Sequence, residues 1–405
     1  MSAKPVSENK LLLILGLVTF IVIVDFMMVM PLGPDFARAL GIPENHIGLI
    51  GGSYTLSASI TGILIAFFTD RFDRKRAIIF FFTGLIIATA LAAFSWNTPS
   101  MMVARIIAGM FGGPLQALGV ALISDIIPPE RRGAAMGKFA GSFAAASVIG
   151  VPFGLELATL FSWKAPFLGL SILGIAVLYF AKKHLPEHSN VIQRLPVKES
   201  SKVFLKHLKN PVALSAYAFM GLMVFTAFSI IPNISAHIQL NKGFPRSDLG
   251  LLYFCGGFVS FFSMRAIGKL ADKKGATLTC TIGTALFIFA MLFGFVFYDN
   301  NIPVIAIFVI FMMGTTARYV SGQTLSSKVP EPEERGAYNS IQYSLISLFQ
   351  TIGAFTSSQI LSTTDDGKLA GVPTIAIISI VISLFIPVLF YITEKSVKNK
   401  LKQAI

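Results

Sequence analysis

Charge is what this sequence has least of: only 13% of its 405 residues are Asp, Glu, Lys or Arg, against 54% hydrophobic residues and a mean hydropathy of +0.73. Too few polar faces remain to cover a buried helical core in water, which excludes a soluble globule. Cysteine is equally scarce. Cys255 and Cys280 fall inside apolar runs, which suits packing and excludes a disulfide framework. The five histidines are scattered. No loop carries a His/Asp/Glu metal cluster, a Ser/His/Asp constellation or a glycine-rich phosphate loop. The chain therefore reads as a non-enzyme, and nothing in it calls for a cofactor or a metal.

What it has in abundance is long apolar runs. Crossing about 30 Å of hydrocarbon takes about 20 residues as a helix. Runs of that kind fall at roughly 11–33, 47–69, 77–95, 100–127, 135–160, 163–181, 211–232, 249–271, 277–297, 302–327, 338–361 and 372–393. These twelve spans predict an all-α membrane protein of two six-helix bundles. The division is residues 1–181, a polar cytoplasmic linker at 182–210, and residues 211–405. Lys4 and Lys10 precede an apolar run too long for a cleavable signal, so the first span is expected to stay as an anchor, with both termini cytoplasmic.

The net charge of +13 is a matter of topology. With the termini inside, only Arg38, Lys164, Lys242, Arg246 and Lys368 of the 33 cations lie outside, and Arg105 and Arg318 lie within spans. That is a strong positive-inside bias, which argues for anionic lipid contact and against nucleic acid.

The chain repeats itself. The hairpin Gly62–Arg76 places Asp70 at a helix mouth, followed by Arg71, Arg74, Lys75 and Arg76; a second copy follows at Gly268–Gly275 with Asp272 and Lys273. Pro31 matches Pro232, Asp70 matches Asp272 and Arg132 matches Arg335, with the offset drifting only from 201 to 203. Two repeats of equal topology predict a pseudo-two-fold pair of bundles about a cavity.

Ionisable groups inside the spans are costly and mark candidate sites. Asp25 lies deep in the first span, and Arg105 lies in the fourth, four residues before Gly109. At 1.5 Å per residue Asp25 is roughly 21 Å from the cytoplasmic end of its span and Arg318 roughly 13 Å, so depth favours an Asp25–Arg105 pair. Arg318 is then left for an anionic or polar substrate, together with Gln323 and with Gln342, Tyr343 and Gln350 of the eleventh span. Met28, three residues after Asp25, is counted with them as an apolar contact. His237, near an outer end, reads as solvated. Gly109, Gly150, Pro152 and Gly154 predict close helix packing or a bend.

On these residues the chain resembles the major facilitator superfamily. Asp70, Arg71, Arg74 and Lys75 match the loop signature G-x-x-x-D-R-x-G-R-K, with Ala66 and Asp73 in place of its glycines, which the second copy keeps as Gly268 and Gly275. Arg105-x-x-x-Gly109 resembles the family's fourth-span motif, and Gly141–Gly154 partly resembles the fifth-span motif of antiporters. Asp25 with Arg105 is most similar to the drug:proton antiporter and sugar-efflux group. The resemblance implies a secondary active transporter of the cell membrane working by alternating access. It implies proton coupling through Asp25 and Arg105, latch loops at Asp70 and Asp272, efflux of a small amphipathic compound, drug or sugar, and a monomer as sufficient unit. Uniport or import of a small organic anion or metabolite, and a sensor that kept the fold without transport, remain alternatives.

Overall fold

The computed structural model describes residues 8–66, 73–186, 206, 207, 209–297, 302–331 and 334–403. The latch residues Asp70 and Arg71 lie outside them. The described residues form twelve long helices: α1 (Glu8–Met28), α2 (Ile47–Ala66), α3 (Arg74–Ala93), α4 (Thr98–Ile126), α5 (Pro129–Ala145, continuing to Leu160), α6 (Ala165–His184), α7 (Pro211–Phe228), α8 (Leu249–Lys274), α9 (Ala276–Met291), α10 (Val304–Ser326), α11 (Arg335–Ile360) and α12 (Val372–Gln403). Ten of the helices or helical runs are long and apolar enough to cross a membrane. The other two expected spans fall on α2, of 20 residues, and on α11, of 26 residues. A two-stranded antiparallel hairpin, β1 (Ser362–Thr363) and β2 (Leu369–Ala370), joins α11 to α12.

The helices start where the chain supplies caps. The Asn97 side chain accepts from the Ser100 amide and the Ser100 hydroxyl answers, closing a capping box ahead of α4. Asn210 caps α7 ahead of Pro211, and Asp73 accepts from the Arg76 amide at the start of α3. Asp73 therefore replaces a signature glycine with a working N-cap at φ −58°. In the second copy Gly275 sits at φ +101°, and a Cβ there would also meet Glu394 Oε1 at 2.8 Å.

Several helices exceed their apolar segments. α5, α11 and α12 begin or end in cation-rich sequence outside the expected limits, because hydropathy marks what crosses lipid whereas Lys and Arg remain good helix formers beyond it. α7 shows the largest departure. It does not stop at Pro232 but continues through a 3₁₀ turn (Ile231–Asn233), a helical turn (Ile234–Ala236) and a π turn (His237–Asn241). Pro232 is tolerated because it stands in the first positions of the new turn, where its missing N–H is not needed.

The chain divides into two compact units: the described residues within Met1–Ile42 and Ser53–Arg194, and those within Pro43–Gly52 and Leu195–Ile405. Each has its own interior. In the second, Phe219, Met220, Tyr338 and Phe390 are buried in one apolar cluster, with Phe219 and Phe390 rings 4.2 Å apart.

Candidate functional site

In the first unit the site begins with glycine. A Cβ on Gly109 would strike the Tyr54 carbonyl and the Ser57 hydroxyl, and one on Gly113 would meet Ala58 Cα at 2.8 Å. α4 therefore lies backbone to backbone on α2. That approach brings the Tyr54 ring under the Arg105 guanidinium, 4.8 Å from its centroid. Arg105 in turn reaches α1. Its Nη2 stands 3.0 Å from Asp25 Oδ2 and 3.2 Å from the Asp25 carbonyl, and its Nη1 stands 3.1 Å from Oδ1. Thr89 of α3 donates to Oδ1 at 2.8 Å. Both charged side chains are fully buried. Four helices thus converge on one ion pair, with the bidentate fork that makes Arg–carboxylate contacts strong and directional.

Gly150 serves the same region from α5. It ends a π turn (Ala146–Gly150), and a Cβ there would strike Val24 of α1, immediately before Asp25. Pro152 follows at the start of the next helical turn, and Gly154 has room to spare, its nearest neighbour Met28 Sδ lying 3.7 Å from a Cβ. Met28 itself is wholly buried.

The second unit repeats the plan without the carboxylate. Gly283 of α9 lies against Ala317 and Arg318 of α10, and Gly314 lies against Phe287. The Arg318 guanidinium sits 3.9 Å over the Phe287 ring. It donates from Nη1 to Ser383 Oγ of α12 at 3.0 Å, and from Nη2 to Thr226 Oγ1 at 3.0 Å and the Met223 carbonyl at 3.1 Å, both on α7. Arg318 is 1% exposed, and its hydrogen-bond partners among the described residues are all neutral. Its Nε, like that of Arg105, is buried with no hydrogen bond.

The remaining expected residues separate. Gln342 is buried and accepts from Ser326 Oγ at 2.5 Å, while its amide donates to Gln323 at 3.3 Å; Gln323 donates to the Tyr319 hydroxyl at 3.0 Å. Ser326 also bonds the Tyr338 hydroxyl at 2.7 Å, so a polar chain runs from α10 to the start of α11. Tyr343 is not part of it. It is 54% exposed beside a buried Gln342, because consecutive helical residues point about 100° apart, and Gln350 is half-buried. The reading of His237 as solvated is corrected. It is buried, Nε2 lies 3.1 Å from the Gly294 carbonyl, and the ring stacks on Phe295 at 4.9 Å. The continuation of α7 past Pro232 is what turns it inward.

The loop residues make separate contacts in each unit. Arg74 Nε pairs with Asp125 Oδ2 at 3.2 Å, joining the start of α3 to the end of α4. Asp272 pairs with Lys328 Nζ at 3.7 Å in an exposed contact between the end of α8 and the turn after α10. Lys75 is half-buried and Lys273 exposed. Tyr54, Thr89, Thr226, Ser383 and Phe287 were not singled out by sequence. Thr226 was recoverable, since the 201-residue offset that matches Pro31 to Pro232 also sets it opposite Asp25.

Twelve helices in two units, each with an arginine buried against its first helix, are the architecture of a membrane transporter. The Major Facilitator Superfamily model matches residues 15–354, and the chain belongs to that family. It is 25% identical to the uncharacterized MFS-type transporter YfhI of Bacillus subtilis over 372 residues, covering 90% of each chain. It is 23% identical to a probable sugar efflux transporter of Mannheimia succiniciproducens over 247 residues, 59% of this chain and 60% of the relative. Among solved structures, a bacterial homologue of the human lysosomal transporter Spinster superposes with a TM-score of 0.78 at 16% identity, over 98% of this chain and 99% of the other. The nucleoside transporter NupG superposes at 0.75 with 15% identity, over 95% and 99%. The fold is that of the major facilitators, and the protein is a multi-pass membrane transporter.

Proposed function

We propose that the protein exports a small polar or amphipathic compound, a drug or a sugar, from the cytoplasm across the cell membrane in exchange for protons, as a monomer with both termini cytoplasmic. The observation that carries this reading is the fully buried Asp25, held by Arg105 and Thr89 where α1, α3 and α4 meet. An ion pair in low dielectric is sensitive to the loss of either charge. A proton on Asp25 would remove one of them, free α1 from α4 and lower the cost of rearranging the unit; release of that proton would restore the clamp. Similarity to a probable sugar efflux transporter supports the direction. Met28 is buried about one turn beyond Asp25 on α1, and Gln342 and Gln323 are hydrogen-bonded to each other; they bear on the substrate through whatever rearrangement exposes them.

A second reading is uptake or uniport of a small organic anion. Arg318 favours it, because a buried guanidinium among neutral partners is the natural seat for an anion. The test is proton release from purified protein in detergent when candidate compounds are added, comparing wild type with Asp25→Asn. Release from wild type alone supports coupled exchange through Asp25. Binding without release from either form overturns it in favour of the anion reading. Arg318→Ala is expected to abolish flux while the protein still inserts, and intact flux removes Arg318 from the substrate path.

A further inference from the structure

The second unit holds a cavity of about 290 Å³ at the end of its helices remote from the cation-rich loops. It lies far along α10 from Arg318, between the first turns of α10, the π turn that ends α7 and the π turn (Leu292–Val296) that ends α9. Ile238, Phe295, Val304, Ile307 and Phe311 line it, and Lys242 is the one charged residue among those lining it. π turns are rare and concentrate at functional sites, and here two of them face each other across one space. They are fixed to each other by His237, whose ring meets the Gly294 carbonyl at 3.1 Å. Gly294 also lets α10 close in, since a Cβ there would meet Ile307 at 2.6 Å.

The lining decides the ligand. A polar solute would leave its donors and acceptors unpaired against these walls, at a cost of a few kcal/mol each. A single alkyl chain has no polar groups to satisfy, and one cation in the lining suits one anionic head. We propose that this cavity binds a single-chain lipid amphiphile with an anionic headgroup of the fatty-acid carboxylate class, its tail between α7, α9 and α10 and its head on Lys242.

Photolabelling tests it. Purified full-length protein in nonionic detergent is irradiated with diazirine-bearing palmitate, and the adducts are mapped by mass spectrometry. Adducts are expected on residues 234–242 and 302–311. Diazirine-bearing hexadecanol, which lacks the charge, is expected to label these peptides less by on the order of tenfold, as loss of one charge-assisted contact predicts. Lys242→Glu should cause a similar loss, Lys242→Arg should retain labelling, and Val304→Trp should block it by filling the cavity. Equal labelling by acid and alcohol, adducts spread over the lipid-facing helices, or labelling indifferent to Lys242→Glu and Val304→Trp would each overturn the proposal. If Lys242→Glu does not fold, the acid-against-alcohol comparison on the wild-type protein decides.

Discussion

The two units answer the same problem differently. Each buries an arginine over an aromatic ring and aims it at the first helix of its own bundle, Arg105 over Tyr54 toward α1 and Arg318 over Phe287 toward α7. At the matched position the first unit has Asp25 and the second has Thr226. One cation is neutralised within its unit, whereas the other rests on two hydroxyls and a carbonyl. The first unit thus closes its charge on itself, whereas the second leaves a buried cation among neutral partners. The same inversion recurs at the loop ends, where Asp125 of the first unit matches Lys328 of the second, each paired with an opposite charge.

The sharpest way to break this comparison is to remove each arginine. Arg105→Met strands Asp25 as a lone buried carboxylate and is expected to cost about 3–5 kcal/mol, read from unfolding in mixed micelles. Arg318→Met strands no charge, and Thr226 already has the Met223 carbonyl as a partner, so stability is expected to stay within about 1 kcal/mol while flux is lost. Equal losses from the two variants would show that the units do not differ as argued.

Next in size is the converse substitution. Thr226→Asp should be tolerated beside Arg318 and cost about 3 kcal/mol more in an Arg318→Met background, a coupling that a double-mutant cycle measures. Additive effects would mean that Arg318 cannot serve as counter-ion where it stands.

Glycine contacts come third. Gly109→Val must push α4 off Tyr54 and is expected to cost about 1–3 kcal/mol and to loosen the Asp25 pair, whereas Gly154→Ala should stay within about 0.5 kcal/mol.

A smaller effect concerns pH. His207, just before α7, is buried against Tyr338 at 5.5 Å, and that burial lowers its pKa below the ordinary 6.5, with Lys206 acting in the same direction and Glu334, 3.5 Å away, opposing them. Its contribution to stability is fully present above about pH 6.5 and is lost as pH falls through the depressed value. His207→Phe should flatten that part of the stability–pH curve. Last, Asp125→Ala should cost less than about 1 kcal/mol, and removal of the exposed Asp272–Lys328 contact should leave stability unchanged.

The sequence carried the helices and one of the two arginine sites. Apolar length located the spans because the bilayer demands it, and rise per residue was enough to pair Asp25 with Arg105 by depth alone. It could not place Tyr343 and Gln342 apart, since both fit one loose helical stripe until the register is known. It could not turn His237 inward, because Pro232 reads as a stop and the π turn beyond it has no composition of its own. Asp73 was legible in principle. An Asp immediately ahead of a helix is a cap signal, which the family signature obscured by drawing attention to a missing glycine.

One contact bears on how the protein is made. The Asn241 side chain donates to the Leu369 carbonyl at 2.8 Å and accepts from the Leu369 amide at 2.9 Å, clipping the end of α7's π turn to β2. A ribosome adds residues at about 5–20 per second, so Asn241 waits several seconds for a partner 128 residues downstream. During that interval the tip of α7 is held only by its neighbours. The hairpin ahead of the last helix fastens the first helix of its bundle, and a nascent chain stalled before residue 369 is where quality control would find an unfinished rim.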